Sequence, residues 1–186
     1  MAEHWDDAIY TLETLLMKIE GIDEDGIDLS FTQGNESIKN EKKIAKIMDK
    51  MNRRGAIPID GSTTNILDSL VEIFNEYKLA VDQRARSYRK TKKMTILVLT
   101  DAMWNNTAEE VGLAITLFVK SMKGIFQGYM KGQFPFSIEF IQFGRDPEAI
   151  SRLEHLDDEL EKEGIPYVLP LPTTTTFWST NLAFSL

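Results

Sequence analysis

Three observations predict an α/β fold with a doubly wound, mostly parallel sheet and helices on both faces. Amphipathic helical runs alternate with short strand-like runs along the chain, the order expected of crossover connections. Residues 94–101, Met-Thr-Ile-Leu-Val-Leu-Thr-Asp, are apolar at consecutive positions, the pattern of a strand buried on both faces. The 186 residues, 42% apolar and 27% charged, provide for one core, and no internal repeat divides them.

The chain opens on a helix. Trp5, Ile9, Leu12, Leu16 and Ile19 recur every three or four residues, and Gly21 ends the run. After Asp23-Glu24-Asp25-Gly26, the alternation of Ile27, Leu29 and Phe31 predicts a short strand over 27–32, closed by Gln33-Gly34-Asn35. A second helix over about 42–51 presents Ile44, Ile47, Met48 and Met51, until Asn52-Arg53-Arg54-Gly55 breaks it. Residues 58–65 are a polar turn whose Thr or Asn caps a long helix with Ile66, Leu70, Ile73, Phe74, Tyr77 and Val81 on its inner face. Arg84, Arg86, Arg89, Lys90, Lys92 and Lys93 gather at its far end, where the backbone dipole favours cations, so an anion-binding patch is not required.

The strand over 94–101 ends on an acid. A helix carrying Val111, Ile115, Phe118 and Met122 follows, then a strand over 136–143, a helix carrying Ile150, Leu153, Leu156 and Leu160, and a last strand over 165–171. One domain over 1–172 is expected, with an irregular tail over 173–186. The tail's Phe177, Trp178, Leu182 and Phe184 either pack locally or form an exposed apolar end.

Composition removes several classes of function. A net charge of −8 argues against nucleic-acid binding, which needs a basic face to neutralise phosphates. The absence of cysteine excludes disulfides, thiolate zinc sites, iron–sulfur clusters and a cysteine nucleophile. Met1-Ala2-Glu3-His4-Trp5-Asp6-Asp7 has neither the basic start nor the apolar stretch of a secretory signal, and the longest apolar stretch, 113–119, is far short of the ~20 residues that span a bilayer. A cytoplasmic protein is therefore expected, and the sequons at Asn35 and Asn105 read as ordinary loops. No phosphate loop, nucleophile elbow or dinucleotide fingerprint occurs. His4 and His155 fall on polar helix faces without an acid–base constellation, as solvated helix residues would.

In open parallel sheets, ligands bind beyond the carboxyl ends of the strands. Asp101 sits at such an end and suits a hard cation such as Mg²⁺, although an aspartate there also caps the following turn. Gly61-Ser62-Thr63-Thr64-Asn65-Ile66 before a helix, with Ile96-Leu97-Val98-Leu99-Thr100-Asp101 ending a strand, resemble two of the three loops of a von Willebrand factor type A (VWA) domain. Phe140-Ile141-Gln142-Phe143-Gly144-Arg145-Asp146 and the helix after it are similar to the late strand and helix of intracellular VWA proteins of the fungal type. The resemblance runs from Trp5 to Val168.

That resemblance implies a non-enzymatic protein-interaction module with a metal-ion-dependent adhesion site, in which a partner's carboxylate completes the coordination of Mg²⁺ at the strand C-terminal face. Thr64 matches the family's threonine, with Thr63 competing by register, and Asp101 matches its aspartate. Ala102 stands where the family usually has glycine.

The family's Asp-x-Ser-x-Ser loop is absent. The helix at His4 or Trp5 resembles the one that follows that loop, and the resemblance implies a start one residue too late to include it. Asp28-Leu29-Ser30-Phe31-Thr32 fits the motif's spacing, but an acidic turn precedes it and Ser30 alternates within a strand. Thr64 and Asp101 alone offer Mg²⁺ one charge and one hydroxyl, so weak or absent binding is expected. Loss of a central first strand leaves its neighbours to pair directly or leaves a gap of exposed backbone, with lower stability or aggregation. The alternative activity is a Mg²⁺-dependent hydrolase or phosphotransferase using Asp101. Trp104 is either a partner-contacting aromatic or a core residue.

Overall fold

The structure, a computed structural model, describes residues 1–19, 21, 26–34, 36–56, 64–86, 93–126, 136–165 and 170–172. After a 3₁₀ turn at Ala2–His4 come α1 (Trp5–Ile19), β1 (Ile27–Ser30), β2 (Ser37–Glu41), α2 (Ile44–Arg54), α3 (Ile66–Arg86), β3 (Met94–Thr100), α4 (Ala108–Phe126), β4 (Phe136–Gln142), α5 (Pro147–Lys162) and β5 (Pro170–Pro172). The architecture is mixed α/β with two small open sheets. β1 and β2 form an antiparallel hairpin, and β3, β4 and β5 pair in parallel in that order.

The unbroken apolar run of β3 is explained by its two faces. It pairs with β4 without a bulge, from Met94 opposite Phe136 to Thr100 opposite Gln142. Ile96 and Val98, with Ile138 and Phe140, face a core built from α3, α4 and α5. Leu97 and Leu99, with Ile141, face the other way and meet Ala8 and Leu15 of α1. Successive strand residues point to opposite faces, so a strand covered on both sides is apolar at every position. α4 and α5, the two crossover helices, contribute to the same core, as connections of one hand running in one direction across a sheet require.

α1 has two apolar stripes. Ala8 and Leu15 lie over the parallel sheet, whereas Leu12 and Leu16 pack with Ile47 and Met51 of α2 and with Ile27, Leu29 and Ile38 of the hairpin. Leu99 contributes to both clusters, so the hairpin and the parallel sheet share α1 without hydrogen-bonding to each other.

Several sequence expectations need correction. β2 was not anticipated, because in Ser-Ile-Lys-Asn-Glu only Ile38 packs inward among apolar side chains while its neighbours are exposed. β1 stops at Ser30, short of the expected Thr32. The last strand is described only at Pro170–Pro172, and the rest of 165–171 is Ile165 outside a strand and 166–169 outside the described residues. Ile150 is 37% exposed, and the buried stripe of α5 runs through Ala149, Leu153, Leu156 and Leu160 instead. The tail over 173–186 and most of the turn before α3 also lie outside the described residues. Among the described residues, no helix is long and apolar enough to cross a membrane.

Candidate functional site

The candidate site is the loop that leaves β3. Its first residues are fixed by short-range bonds: Ala102 N–H donates to Thr100 Oγ1 at 2.9 Å and Met103 N–H donates to Asp101 Oδ1 at 3.1 Å. Ala102 is fully buried with φ +57°, a left-handed conformation that costs an alanine roughly 1 kcal/mol and a glycine nothing. The Phe143 N–H donates to Thr100 O at 2.8 Å, which ties the ends of β3 and β4.

Three elements then clamp the loop. Arg152 of α5 donates to the carbonyls of Ala102 at 2.5 Å and Trp104 at 3.0 Å, with its guanidinium 5.9 Å over the Trp104 ring. On the α3 side, Asn105 N–H donates to Thr64 O at 3.1 Å, and Asn106 Oδ1 accepts from Leu67 N–H at 3.3 Å. A reciprocal cap starts α4: Glu110 N–H donates to Thr107 Oγ1 at 3.2 Å, and Thr107 N–H donates to Glu110 Oε2 at 3.0 Å.

The two expected metal residues are thus on adjoining loops, connected through Asn105. Their polar atoms are already engaged. Asp101 Oδ2 forms an ion pair with the Met1 ammonium, and Thr64 Oγ1 accepts from Gln33 Nε2 at 3.0 Å. One carboxylate and one hydroxyl, both committed to protein donors, do not make a fitting shell for a cation that holds its water as firmly as Mg²⁺. Among the described residues no group of three or more His, Asp or Glu is placed to hold a metal. Thr63, the alternative by register, lies outside the described residues.

Asp28, in the second match to the metal motif, serves the hairpin: its Oδ1 accepts from Asn40 N–H at 2.6 Å and its Oδ2 lies 3.8 Å from Lys39 Nζ. Trp104 is a core residue, 4% exposed and tilted against Phe140 at 6.0 Å. Met103 beside it is the exposed apolar residue of the loop. His4 is more enclosed than a solvated helix residue, because its ring sits against Gly144, where an added Cβ would come within 2.6 Å of Nε2.

A shallow cleft of about 530 Å³ adjoins the loop between the starts of α4 and α5, lined by Asn105, Thr107, Glu109, Ser151, Arg152 and His155 among others. His155 Nε2 lies 2.9 Å from Glu109 Oε1. The Glu109 carboxyl is held below its ordinary pKa by its own backbone N–H first, then by Thr107 and His155. Sequence reasoning missed Arg152, Asn105 and Gln33 as organisers of the loop. The Thr107-x-x-Glu110 spacing was a legible sign that the loop ends in a capping box.

Comparison of the chain with protein-family models, with curated proteins and with solved structures finds no match.

Proposed function

We propose that this chain is a VWA-like protein-interaction module, non-enzymatic, with an incomplete metal-ion-dependent adhesion site. It meets a protein partner on the face formed by the C-terminal ends of the parallel strands. The observation that carries this reading is the placement of Asp101 at the end of β3, in a loop joined to Thr64 through the Asn105 to Thr64 hydrogen bond. The β3-α4-β4-α5-β5 run, with α1 on the opposite face, supports a doubly wound VWA-like arrangement in which, among the described residues, no strand pairs with the other edge of β3.

Recognition in this reading does not pass through a metal, since Asp101 and Thr64 are a poor shell for one. A rigid loop with exposed Met103, clamped by Arg152 and Asn105, offers a preorganised protein contact. A cytoplasmic location belongs to the same proposal.

The test is an assay of the full chain with generic phosphoester substrates and Mg²⁺. No turnover above the blank is expected, for either the natural chain or Asp101→Ala. Turnover that Asp101→Ala abolishes contradicts an interaction module and supports a metal-assisted hydrolase.

A further inference from the structure

α3 and α4 bury Phe74, Ile115 and Phe118 in the core yet keep a second apolar stripe outside it. Val71, Leu113 and Leu117 are 41%, 59% and 58% exposed, and they line a groove of about 470 Å³ between the two helices. The charged side chains lining that groove are Lys78 and Glu110. Among the described residues neither has an ion-pair partner, and the Glu110 carboxylate accepts from Thr107 N–H through Oε2. We propose that a second copy of this chain occupies the groove, in a two-fold symmetric dimer that sets the α3 and α4 pair of one copy antiparallel to that of the other. This surface is separate from the Asp101 loop and does not depend on the reading given for it.

The register of the two helices sets the charges apart. α3 and α4 start together, where Asn105 N–H donates to Thr64 O, and they meet again where Phe74 stacks on Phe118, so they run parallel. At a rise of about 1.5 Å per residue, Glu110 lies about 12 Å before the Phe74 and Phe118 level and Lys78 about 6 Å beyond it. The midpoint between the two charges falls about 3 Å before that level, and Val71, Leu113 and Leu117 all lie within about 5 Å of it along the helices. A two-fold axis through the midpoint brings Lys78 of each copy against the partner's Glu110 and lays Leu113 and Leu117 of each into the groove of the other. A parallel overlay brings like charges together at both ends instead, so the charges select the antiparallel register.

The same charges favour a second copy over a segment of this chain. Of the segments outside the described residues, 22–25 and 57–63 carry acids alone, 87–92 and 127–135 carry bases alone, and 166–169 and 173–186 carry no charge. None of them presents both an anion to Lys78 and a cation to Glu110, whereas the reversed groove presents both. Three apolar side chains from each copy and two ion pairs make a small interface of the transient class, with an expected dissociation constant of roughly 10–100 µM.

The test is sedimentation velocity of the full chain, which should be a monomer at about 2 µM and mostly a dimer at about 500 µM. Leu117→Glu, Lys78→Glu and Glu110→Lys should each weaken dimerisation at least about tenfold, since each sets like charges or a buried charge in the contact. Lys78→Glu leaves the groove acidic at both ends and Glu110→Lys leaves it basic at both, so an equimolar mixture of the two variants should dimerise where neither does alone. A dimer that the three substitutions leave unchanged, or a mixture that stays monomeric, overturns the proposal. A natural chain that is monomeric at every concentration also overturns it; a Leu117→Glu melt several degrees lower then assigns the groove to a segment of this chain, and an unchanged melt assigns it to a different protein.

Discussion

Truncation of Phe118 to alanine should loosen the joint between the helical layer and the parallel sheet. Phe118 is 6% exposed, stacks on Phe74 of α3 with ring centroids 4.1 Å apart and planes 4° from parallel, and tilts against Phe136 of β4 at 4.7 Å. Tyr77 adds an edge contact at 6.3 Å. Loss of a buried phenylalanine side chain costs about 3–5 kcal/mol, and ring pairs of this geometry account for ~0.5–1.5 kcal/mol each within it. For a chain of 186 residues, where 1 kcal/mol moves the melting temperature by about 2–4 °C, Phe118→Ala should melt roughly 6–20 °C lower. Leu113 on the same helix is 59% exposed, so Leu113→Ala should cost under about 0.5 kcal/mol. Thermal and urea melts followed by circular dichroism measure both. A Phe118→Ala melt within about 2 °C of the natural chain, or a Leu113→Ala loss of equal size, refutes the packing argument.

Gly144→Ala should lose roughly 1–3 kcal/mol in the same melts, because φ is +87° and the new methyl collides with His4; an unchanged melt removes the close approach from the account. Asp146 caps α5 by accepting from Glu148 N–H at 2.9 Å and Ala149 N–H at 3.1 Å, so Asp146→Ala should cost about 1 kcal/mol, and Asp146→Ser should restore most of it. Glu139 on β4 has its carboxyl pushed above the usual 4.5 by burial, so the folded state favours its protonated form. That contribution is present below pH 4.5 and is lost as pH rises through the raised value. Glu139→Gln should therefore raise the urea midpoint at pH 7 more than at pH 4, and equal midpoint changes at the two pH values count against it.

The parts of the fold that were legible in sequence are those where burial imposes a period. α3 shows Ile66, Leu70, Phe74 and Val81 buried with Ile73 and Tyr77 beside them, as their spacing predicts, and Asn65 caps the helix through its Oδ1. β3 and β4 were legible because both faces are covered. β2 was not, since an exposed hairpin strand needs only Ile38 to pack and its remaining residues are free to be polar. Ile150 misled for a related reason: Pro147 begins α5 and Ala149 falls on the buried stripe, so the larger side chain points outward. Of the candidate site, the position of Asp101 at a strand end was readable from the pattern. The clamp by Arg152 and the Gln33 bond to Thr64 was not, since those partners lie 48 to 50 and 31 residues away in the chain.

Calorimetric titration of the full chain with Mg²⁺, beside Asp101→Ala, tests the central claim that this face recognises protein without a well-formed metal site. The expected result is no saturable heat in the micromolar range for either chain, because Asp101 holds an ammonium and Thr64 holds Gln33. A saturable micromolar site that Asp101→Ala abolishes contradicts the claim.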